Sequence, residues 1–162
     1  PEWNGIYPAL TTKLTNDDKL DIPLYLKNIE AQINAGVHGC VIAGSLGEAS
    51  TLSQKEKISL LDATIAHVDG RIPVVMNIAE QSTAKAVKAA HNAQKSGADG
   101  LMMLPPMRYL ADSYETVEFY KSVANSCDLP IMVYNNPYDY KIEITISMFE
   151  ELLKIKNIVA TK

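Results

Sequence analysis

Cysteine is scarce in this sequence, which contains only Cys40 and Cys127. Cys40 lies inside an apolar run and Cys127 near the end of a predicted helix, and neither has a partner at metal-ligand spacing. Two cysteines are also too few to form a disulfide framework. We therefore interpret both as structural thiols and expect no metal centre.

Long apolar runs and clusters of basic residues are lacking as well. The longest apolar runs, such as GLMMLPP, are far too short to cross a bilayer, and the first residues, PEWNGIYPAL, lack the charged-then-apolar order of a signal peptide. The formal net charge is −4 and the pI is about 5.3, without any Lys/Arg stripe. These absences disfavour nucleic acid and membranes as partners and predict a cytoplasmic protein that acts on small molecules.

Histidine is represented by three residues, His38, His67 and His91. Each falls in a predicted helix or in the turn before a predicted strand, away from the strand ends where a parallel sheet carries its chemistry. A site that uses histidine for metal binding or proton transfer is therefore not expected.

The sequence does contain a regular alternation of two patterns. Short apolar runs recur at intervals of roughly 30 residues, the length of one βα unit. Between them, apolar residues recur at helical spacing, as at Leu26, Ile29 and Ile33. The alternation predicts six strands with helices between them. The strand segments are GIYPALTT, GCVIAGS, IPVVMNIA, GLMMLPP, PIMVYNN and NIVATK, and the other helical groups are Ile58, Leu61, Ile65 and Val68, then Phe149, Leu152 and Leu153.

Helix boundaries agree with this alternation. Glycines in NAGVHG, VDGRIP and KSGADG stand where a helix ends and a strand begins. Ser53, Ser82 and Ser113 stand at the expected helix starts, and Ser53 has Glu56 three residues later, the spacing of a capping box.

Strands that lead helices throughout indicate a parallel sheet covered on both faces. Two architectures fit, a doubly wound open sheet and a (β/α)8 barrel. The length favours the open sheet, whereas a final strand without a covering helix favours an interrupted barrel. No linker divides residues 1–162, so we expect them to form part of a single domain.

Chemistry on either architecture is expected at the carboxyl ends of the strands. The segment GSLGE, at 44–48, opens from a strand towards a helix, so its backbone N–H groups can bind a carboxylate or a phosphate. The alternative is a tight βα turn that uses glycine for its backbone freedom. The other strand ends carry Thr11 and Thr12, Asn77, PPMRY at 105–109, YNNPYDY at 134–140, and Lys162.

Tyr134 and Lys162 occupy matching positions at the ends of the fifth and sixth predicted strands. Adjacent parallel strands are about 4.8 Å apart, so both side chains can enter one small volume at equal depth. An ammonium group is costly to bury at the end of an apolar strand, so we expect burial to favour a nucleophilic, uncharged amine suited to imine formation. The alternatives are a structural tyrosine and a lysine that snorkels to solvent.

The segments GSLGE and YNNP, followed by a lysine that ends strand six, resemble the signature of the dihydrodipicolinate synthase and N-acetylneuraminate lyase family. The resemblance spans the whole chain. It implies a (β/α)8 TIM barrel of which residues 1–162 form about the first six strands, with two more βα units beyond. It also implies a homotetrameric enzyme without metal or organic cofactor, in which a lysine forms an imine with pyruvate or another 2-oxo acid.

The resemblance also assigns roles by position. Lys162 resembles the imine-forming residue, and Tyr134 resembles the proton relay beside it. Ser45, Leu46 and Gly47 resemble the site for the substrate carboxylate, and we expect the Ser45 hydroxyl to hydrogen-bond the Tyr134 phenol in the relay.

Departures from the family pattern concern the second substrate. Asp139 stands where dihydrodipicolinate synthases carry an arginine that binds a carboxylate, and Leu46 replaces a threonine hydroxyl. Met107 and Arg108 replace paired tyrosines, one of which is usually lent to a neighbouring subunit. Arg108 is a candidate for a displaced positive charge, and we expect it and Asp139 to contact substrate.

These departures predict a lyase, dehydratase or deaminase that acts on a sugar-derived or hydroxyproline-derived 2-oxo acid or its cyclic imine. Three alternatives stay open. The first is dihydrodipicolinate synthase proper, the second a non-covalent anion-binding α/β module, and the third a phosphate-handling barrel isomerase or aldolase.

Overall fold

A computed structural model describes residues 1–106 and 109–162 of the chain. Its strands are β1 Cys40–Ile42, β2 Val74–Ile78, β3 Gly100–Met103, β4 Ile131–Val133 and β5 Ile158–Thr161. Its α-helices are α1 Ile22–Asn34, α2 Gln54–Val68, α3 Thr83–Ser96, α4 Ser113–Ala124, α5 Pro137–Tyr140 and α6 Ile146–Leu152. A short 3-10 helix, Ser45–Gly47, follows β1.

The strands form one parallel sheet in the order β1-β2-β3-β4-β5. Every strand therefore lies beside its neighbour in the chain, and the order never reverses. A doubly wound sheet requires such a reversal, so the strand order is that of a barrel. The prediction of a barrel segment is confirmed.

The first predicted strand is shorter than expected. Its segment contributes one isolated parallel bridge, between Ala9 and Val41. The Val41 N–H donates to the Pro8 carbonyl at 2.9 Å, and the Leu10 N–H donates to the Val41 carbonyl at 2.8 Å. Pro8 itself has no N–H to donate, so it cannot extend a regular ladder at this point.

Pairing between β4 and β5 contains a β-bulge. Ile131 pairs with Ile158, but the next pair is Met132 with Ala160, so Val159 has no partner of its own. The bulge moves the register by one residue, and Val133 consequently pairs with Thr161.

Both faces of the sheet are covered, as the continuous apolar runs predicted. Val41, Val75 and Met102 form an inner cluster, against which Trp3, Tyr7, Met132 and Tyr134 pack. The alternate positions, such as Ile42, Met76 and Leu101, belong to the larger core that the helices share with the sheet. Because side chains alternate along a strand, Asn77 points to the same inner side as Val75.

The amino end of the sheet is covered by aromatic rings. Tyr7 lies against Gly39, at a place where a Cβ atom would collide with its ring, and the His38 ring lies against Gly5 in the same way. Trp3 packs over Gly100, with its ring 3.2 Å from where a Cβ would stand. The absence of side chains at these glycines lets the first residues of the chain close this end.

Helix starts follow the predicted chemistry with one shift. Ser53 and Glu56 form the expected capping box of α2, and Ser82 caps α3. For α4 the predicted cap Ser113 is wrong, because Asp112 is the N-cap residue and forms its own capping box with Glu115. An ionised carboxylate at the cap also interacts favourably with the helix dipole.

The cysteines and histidines lie where the sequence placed them. Cys40 and Cys127 are buried free thiols, and burial raises the pKa of Cys40 to about 12. His67 pairs with Glu30 on the helical side, His91 contacts the Ser126 carbonyl, and His38 lies at the amino end of the sheet. Over residues 1–106 and 109–162, no helix is both long and apolar enough to cross a membrane.

Candidate active site

The loop after β1 has a constrained backbone. Two of its residues that are not glycine, Ala43 and Glu48, adopt left-handed conformations, with φ of +49° and +58°. The N–H of Gly47 donates to the Gly44 carbonyl at 3.0 Å, and the N–H of Glu48 donates to the Ser45 carbonyl at 3.1 Å. The amides of Ser45 and Leu46 open the 3-10 turn, so they have no carbonyl within the turn to bond.

Gly47 has a structural task in this loop. Its carbonyl accepts a hydrogen bond from the buried Thr12 hydroxyl at 2.6 Å. A Cβ atom on residue 47 would lie 2.8 Å from the Leu10 carbonyl oxygen, so only glycine fits without movement of the backbone. The N–H and the carbonyl of Gly47 are thus both hydrogen-bonded, to Gly44 and Thr12, and the amides available to an anion are those of Ser45 and Leu46.

Asn77 anchors the loop from the neighbouring strand. Its side-chain amide donates to the Ala43 carbonyl at 2.9 Å, although the residue is almost fully buried. Its Oδ1 atom has no hydrogen-bond partner among residues 1–106 and 109–162. The sequence marked Asn77 only as a polar residue at a strand end, and nothing local indicated its contact with Ala43.

Tyr134 and Lys162 meet at the carboxyl ends of β4 and β5. The Lys162 N–H donates to the Val133 carbonyl at 2.9 Å, and the Asn135 N–H donates to the Lys162 carbonyl at 2.8 Å, so the parallel ladder continues to this depth. The Lys162 Nζ atom lies 4.3 Å from the centre of the Tyr134 ring, within cation–π range. The structure thus brings together the two residues that the sequence paired.

Tyr140, and not Tyr134, is the hydrogen-bond partner of the Ser45 hydroxyl. The Ser45 hydroxyl was predicted to pair with Tyr134, but its partner is the Tyr140 hydroxyl, at 2.5 Å. The rings of Tyr134 and Tyr140 pack edge to face, with centroids 5.5 Å apart and planes at 84°. Burial raises the pKa of Tyr140 most, the Ser45 hydrogen bond lowers it, and Tyr134 and Asp139 raise it further.

The short helix α5 brings Tyr140 to Ser45. Pro137 begins this helix, where a missing N–H is harmless. Asn136 caps the helix and donates from Nδ2 to Asp139 at 2.6 Å and to the Tyr134 hydroxyl at 3.4 Å. One amide therefore holds both the phenol and the carboxylate in place.

A cavity of about 640 Å³ adjoins this group of residues. Ser45, Tyr140, Asp139 and Leu104 line one part of it, and the remainder extends to a nearly buried ion pair between Lys57 and Glu80, at 3.2 Å. Of the predicted substrate contacts, Asp139 thus faces the cavity. Arg108 lies outside the described residues, as does Met107.

Comparison with known proteins agrees with this arrangement. A family model described as the dihydrodipicolinate synthetase family matches residues 2–162. The chain belongs to this family. The parallel strand order agrees with membership of this family.

Two curated relatives show how much of a family member the chain represents. It is 34% identical over 160 residues to a 4-hydroxy-tetrahydrodipicolinate synthase of Methanococcoides burtonii, covering 99% of this chain and 54% of the relative. It is 33% identical over 161 residues to an uncharacterized DapA-like lyase of Rhizobium meliloti, covering 99% of this chain and 53% of the relative. The chain spans about half the length of these relatives.

A solved structure within the family is similar over the entire chain. This is YagE, a prophage protein of the dihydrodipicolinic acid synthase family from E. coli K12, in complex with pyruvate. The TM-score is 0.95 at 30% sequence identity, with 100% of this chain and 55% of YagE covered. The described fold is accordingly one part of a (β/α)8 barrel.

Proposed function

We propose that the protein containing this chain is a lyase that forms a Schiff base between Lys162 and a 2-oxo acid such as pyruvate. The observation that carries the proposal is the Lys162 amine, 4.3 Å from the centre of the Tyr134 ring at the carboxyl ends of adjacent parallel strands. The pyruvate complex of YagE, a relative of the same fold, supports this choice of substrate. We further propose that residues 1–162 are the amino-terminal part of a single barrel domain.

Imine chemistry assigns a task to each group in the site. The uncharged amine of Lys162 adds to the keto carbon, and the carbinolamine then loses water to form the imine. The imine accepts the electron pair released when a neighbouring bond to carbon or hydrogen breaks, which gives an enamine. Each step moves a proton, and in our proposal the Tyr134 phenol donates and accepts it.

The loop after β1 holds the substrate in our proposal. The amides of Ser45 and Leu46, together with the Ser45 hydroxyl, bind the carboxylate of the 2-oxo acid. Holding the carboxylate fixes the keto carbon relative to the amine, which converts a bimolecular encounter into a reaction within one complex.

Asp139 defines the chemistry of the remaining substrate. Its carboxylate faces the cavity and accepts a hydrogen bond from Asn136 at 2.6 Å. A carboxylate attracts hydroxyl groups and cations and repels another carboxylate, so Asp139 favours a hydroxylated substrate fragment over an acidic one. We therefore propose aldol cleavage, dehydration or deamination of a hydroxylated 2-oxo acid or cyclic imine, in preference to condensation with aspartate semialdehyde.

Reductive trapping tests the proposal. Borohydride with pyruvate should add one reduced adduct per chain to the full-length protein, and peptide mapping should locate it on Lys162. Lys162→Ala should abolish the adduct, because the nucleophile is gone. The matched control is Lys13→Ala, which removes a lysine hydrogen-bonded to Thr11 on the preceding strand segment and should leave the adduct intact.

Absence of an adduct with any 2-oxo acid would overturn the imine mechanism. Binding of pyruvate without an adduct would instead favour a non-covalent anion site in the loop after β1. Assembly as a homotetramer in the cytoplasm, without metal or organic cofactor, stays a prediction that light scattering and metal analysis of the purified protein would test.

A further inference from the structure

Tyr140 is a second phenol in the site, and the family signature does not account for it. Its hydroxyl lies 2.5 Å from the Ser45 hydroxyl, although the two residues are separated by 95 positions in the chain. Its ring packs edge to face on Tyr134, the residue beside the Lys162 amine. Tyr140 thus touches both residues to which the proposed function gives a proton or a substrate contact.

We infer that Tyr140 is a positioning residue that links Ser45 to Tyr134 and completes a path for protons between the reacting nitrogen and solvent. The inference rests on the proposed function, since it names a further residue of the same site. Its support is geometric: the Ser45 hydroxyl is exposed, Tyr140 is half-buried, and Tyr134 lies next to the amine.

The path can be written for the loss of water from the carbinolamine. The nitrogen lone pair forms the C=N bond, the C–O bond breaks, and the departing hydroxide takes the Tyr134 proton and leaves as water. Tyr140 then donates a proton to the Tyr134 phenolate, Ser45 donates one to Tyr140, and solvent restores Ser45. One proton enters from solvent for each water released, and no oxidant or reductant is needed.

The protonation state of the Tyr140 phenol agrees with this role. The raised pKa of Tyr140, caused mainly by burial, keeps the phenol protonated at neutral pH. Tyr140 is therefore a hydrogen-bond donor in the resting site and regains its proton after each transfer.

The neighbouring Tyr138 provides a matched control. It lies on the same helix, two residues before Tyr140, but its side chain is 94% exposed. Tyr138→Phe and Tyr140→Phe remove the same atom from the same element, and only the second removes a hydroxyl that contacts Ser45.

The experiment combines two readouts on the full-length protein with pyruvate. Borohydride trapping reports imine formation, and NMR exchange of the pyruvate methyl hydrogens in D2O reports proton transfer through the enamine. Tyr140→Phe should still give the adduct on Lys162 while its exchange rate falls by roughly 10- to 100-fold, chiefly in kcat and with an altered pH profile. Tyr138→Phe should match the wild type in both readouts.

A second variant removes the other end of the contact. Ser45→Ala should slow exchange as well, and the double variant Ser45→Ala/Tyr140→Phe should be little slower than the worse single variant, because both changes break one path. Unchanged exchange in Tyr140→Phe, or additive losses in the double variant, would overturn the inference even if the adduct forms. If Tyr140→Phe does not fold, exchange in Ser45→Ala at the wild-type rate would overturn it. A wild-type protein without an adduct would overturn the proposed function and the inference together.

Discussion

The two ends of the sheet differ in what covers them. At the amino end, the rings of Trp3, Tyr7 and His38 lie against Gly100, Gly39 and Gly5, and a Cβ atom at Gly39 or Gly5 would collide with its ring. At the carboxyl end, Lys162 lies over the Tyr134 ring, and Ser45 and Tyr140 line a cavity of about 640 Å³.

The same strands thus carry close packing at their amino ends and the candidate reactive groups at their carboxyl ends. At the amino end, the Tyr7 ring lies so close to the buried Gly39 that no side-chain atom can be added there. The carboxyl end keeps exposed polar groups and open volume, which in the proposed function bind and transform a ligand and which contribute little to the core. A substitution should therefore change the stability of the fold at one end and the reaction at the other.

The largest expected effect at the carboxyl end, apart from loss of Lys162, comes from Tyr134→Phe. Phenylalanine keeps the ring that packs on the inner cluster and under the Lys162 amine, so the melting temperature should change little. Loss of the proton donor should reduce kcat by roughly 10²-fold. Steady-state kinetics with thermal melts would measure both quantities, and wild-type turnover would remove Tyr134 from the mechanism.

A pair of glycine substitutions tests whether the amino end of the sheet is more closely packed than the carboxyl end. Gly39→Ala places a methyl group into the Tyr7 ring, so it should destabilise the protein by about 1–3 kcal/mol through overpacking. Gly44→Ala, five residues later, meets only the Met102 methyl group at 4.0 Å and should cost less than about 1 kcal/mol.

The two variants remove the same backbone freedom from the unfolded chain, so their difference isolates the packing term. Urea denaturation of both variants would measure it. Equal losses of stability at the two positions would contradict the contrast between the ends of the sheet.

The smallest expected effect concerns an ion pair beside the loop that leads into β2. Arg71 donates to both carboxylate oxygens of Glu30, at 2.9 and 2.8 Å, and His67 contacts the same group at 2.9 Å. The Arg71 hydrogen bonds chiefly lower the pKa of Glu30 below its ordinary value of 4.5. The pair therefore stabilises the fold fully above pH 4.5, and this contribution disappears as pH falls through the lowered pKa.

Glu30→Gln should accordingly melt slightly below the wild type at neutral pH, and the difference should shrink as the solution is acidified below pH 4.5. Glu150→Gln is the control, since Glu150 is exposed and the described residues offer it no ion pair. A difference in melting temperature that stays constant with pH would show that the Glu30 charge is not responsible.

The repeating architecture could be predicted from the sequence because each βα unit carries its own pattern and caps. Two predictions about element boundaries were wrong for local reasons. Asp112, and not Ser113, is the N-cap of α4, and Pro8 prevents a regular first strand. The contact between Ser45 and Tyr140 could not be predicted, because it depends on how α5 turns after Asn136, and no local pattern states where that turn points.

The sequence predicted that Tyr134 and Lys162 lie side by side, and in the structure this depends on the bulge in β5. Regular pairing onward from Ile131 and Ile158 would have put Thr161 beside Tyr134. The unpaired Val159 adds the one residue that moves Lys162 into that place.

Because of that bulge, β5 should tolerate a one-residue deletion better than a one-residue insertion. A deletion of one residue between Ile158 and Thr161 would be absorbed by straightening the strand, and the lysine would still reach Tyr134. An inserted residue could not be accommodated in this way, because β5 already contains one residue, Val159, without a partner in β4. Among homologous sequences, a spacing before the lysine that is one residue shorter is thus compatible with the same site, whereas a longer spacing requires a second irregularity in the strand.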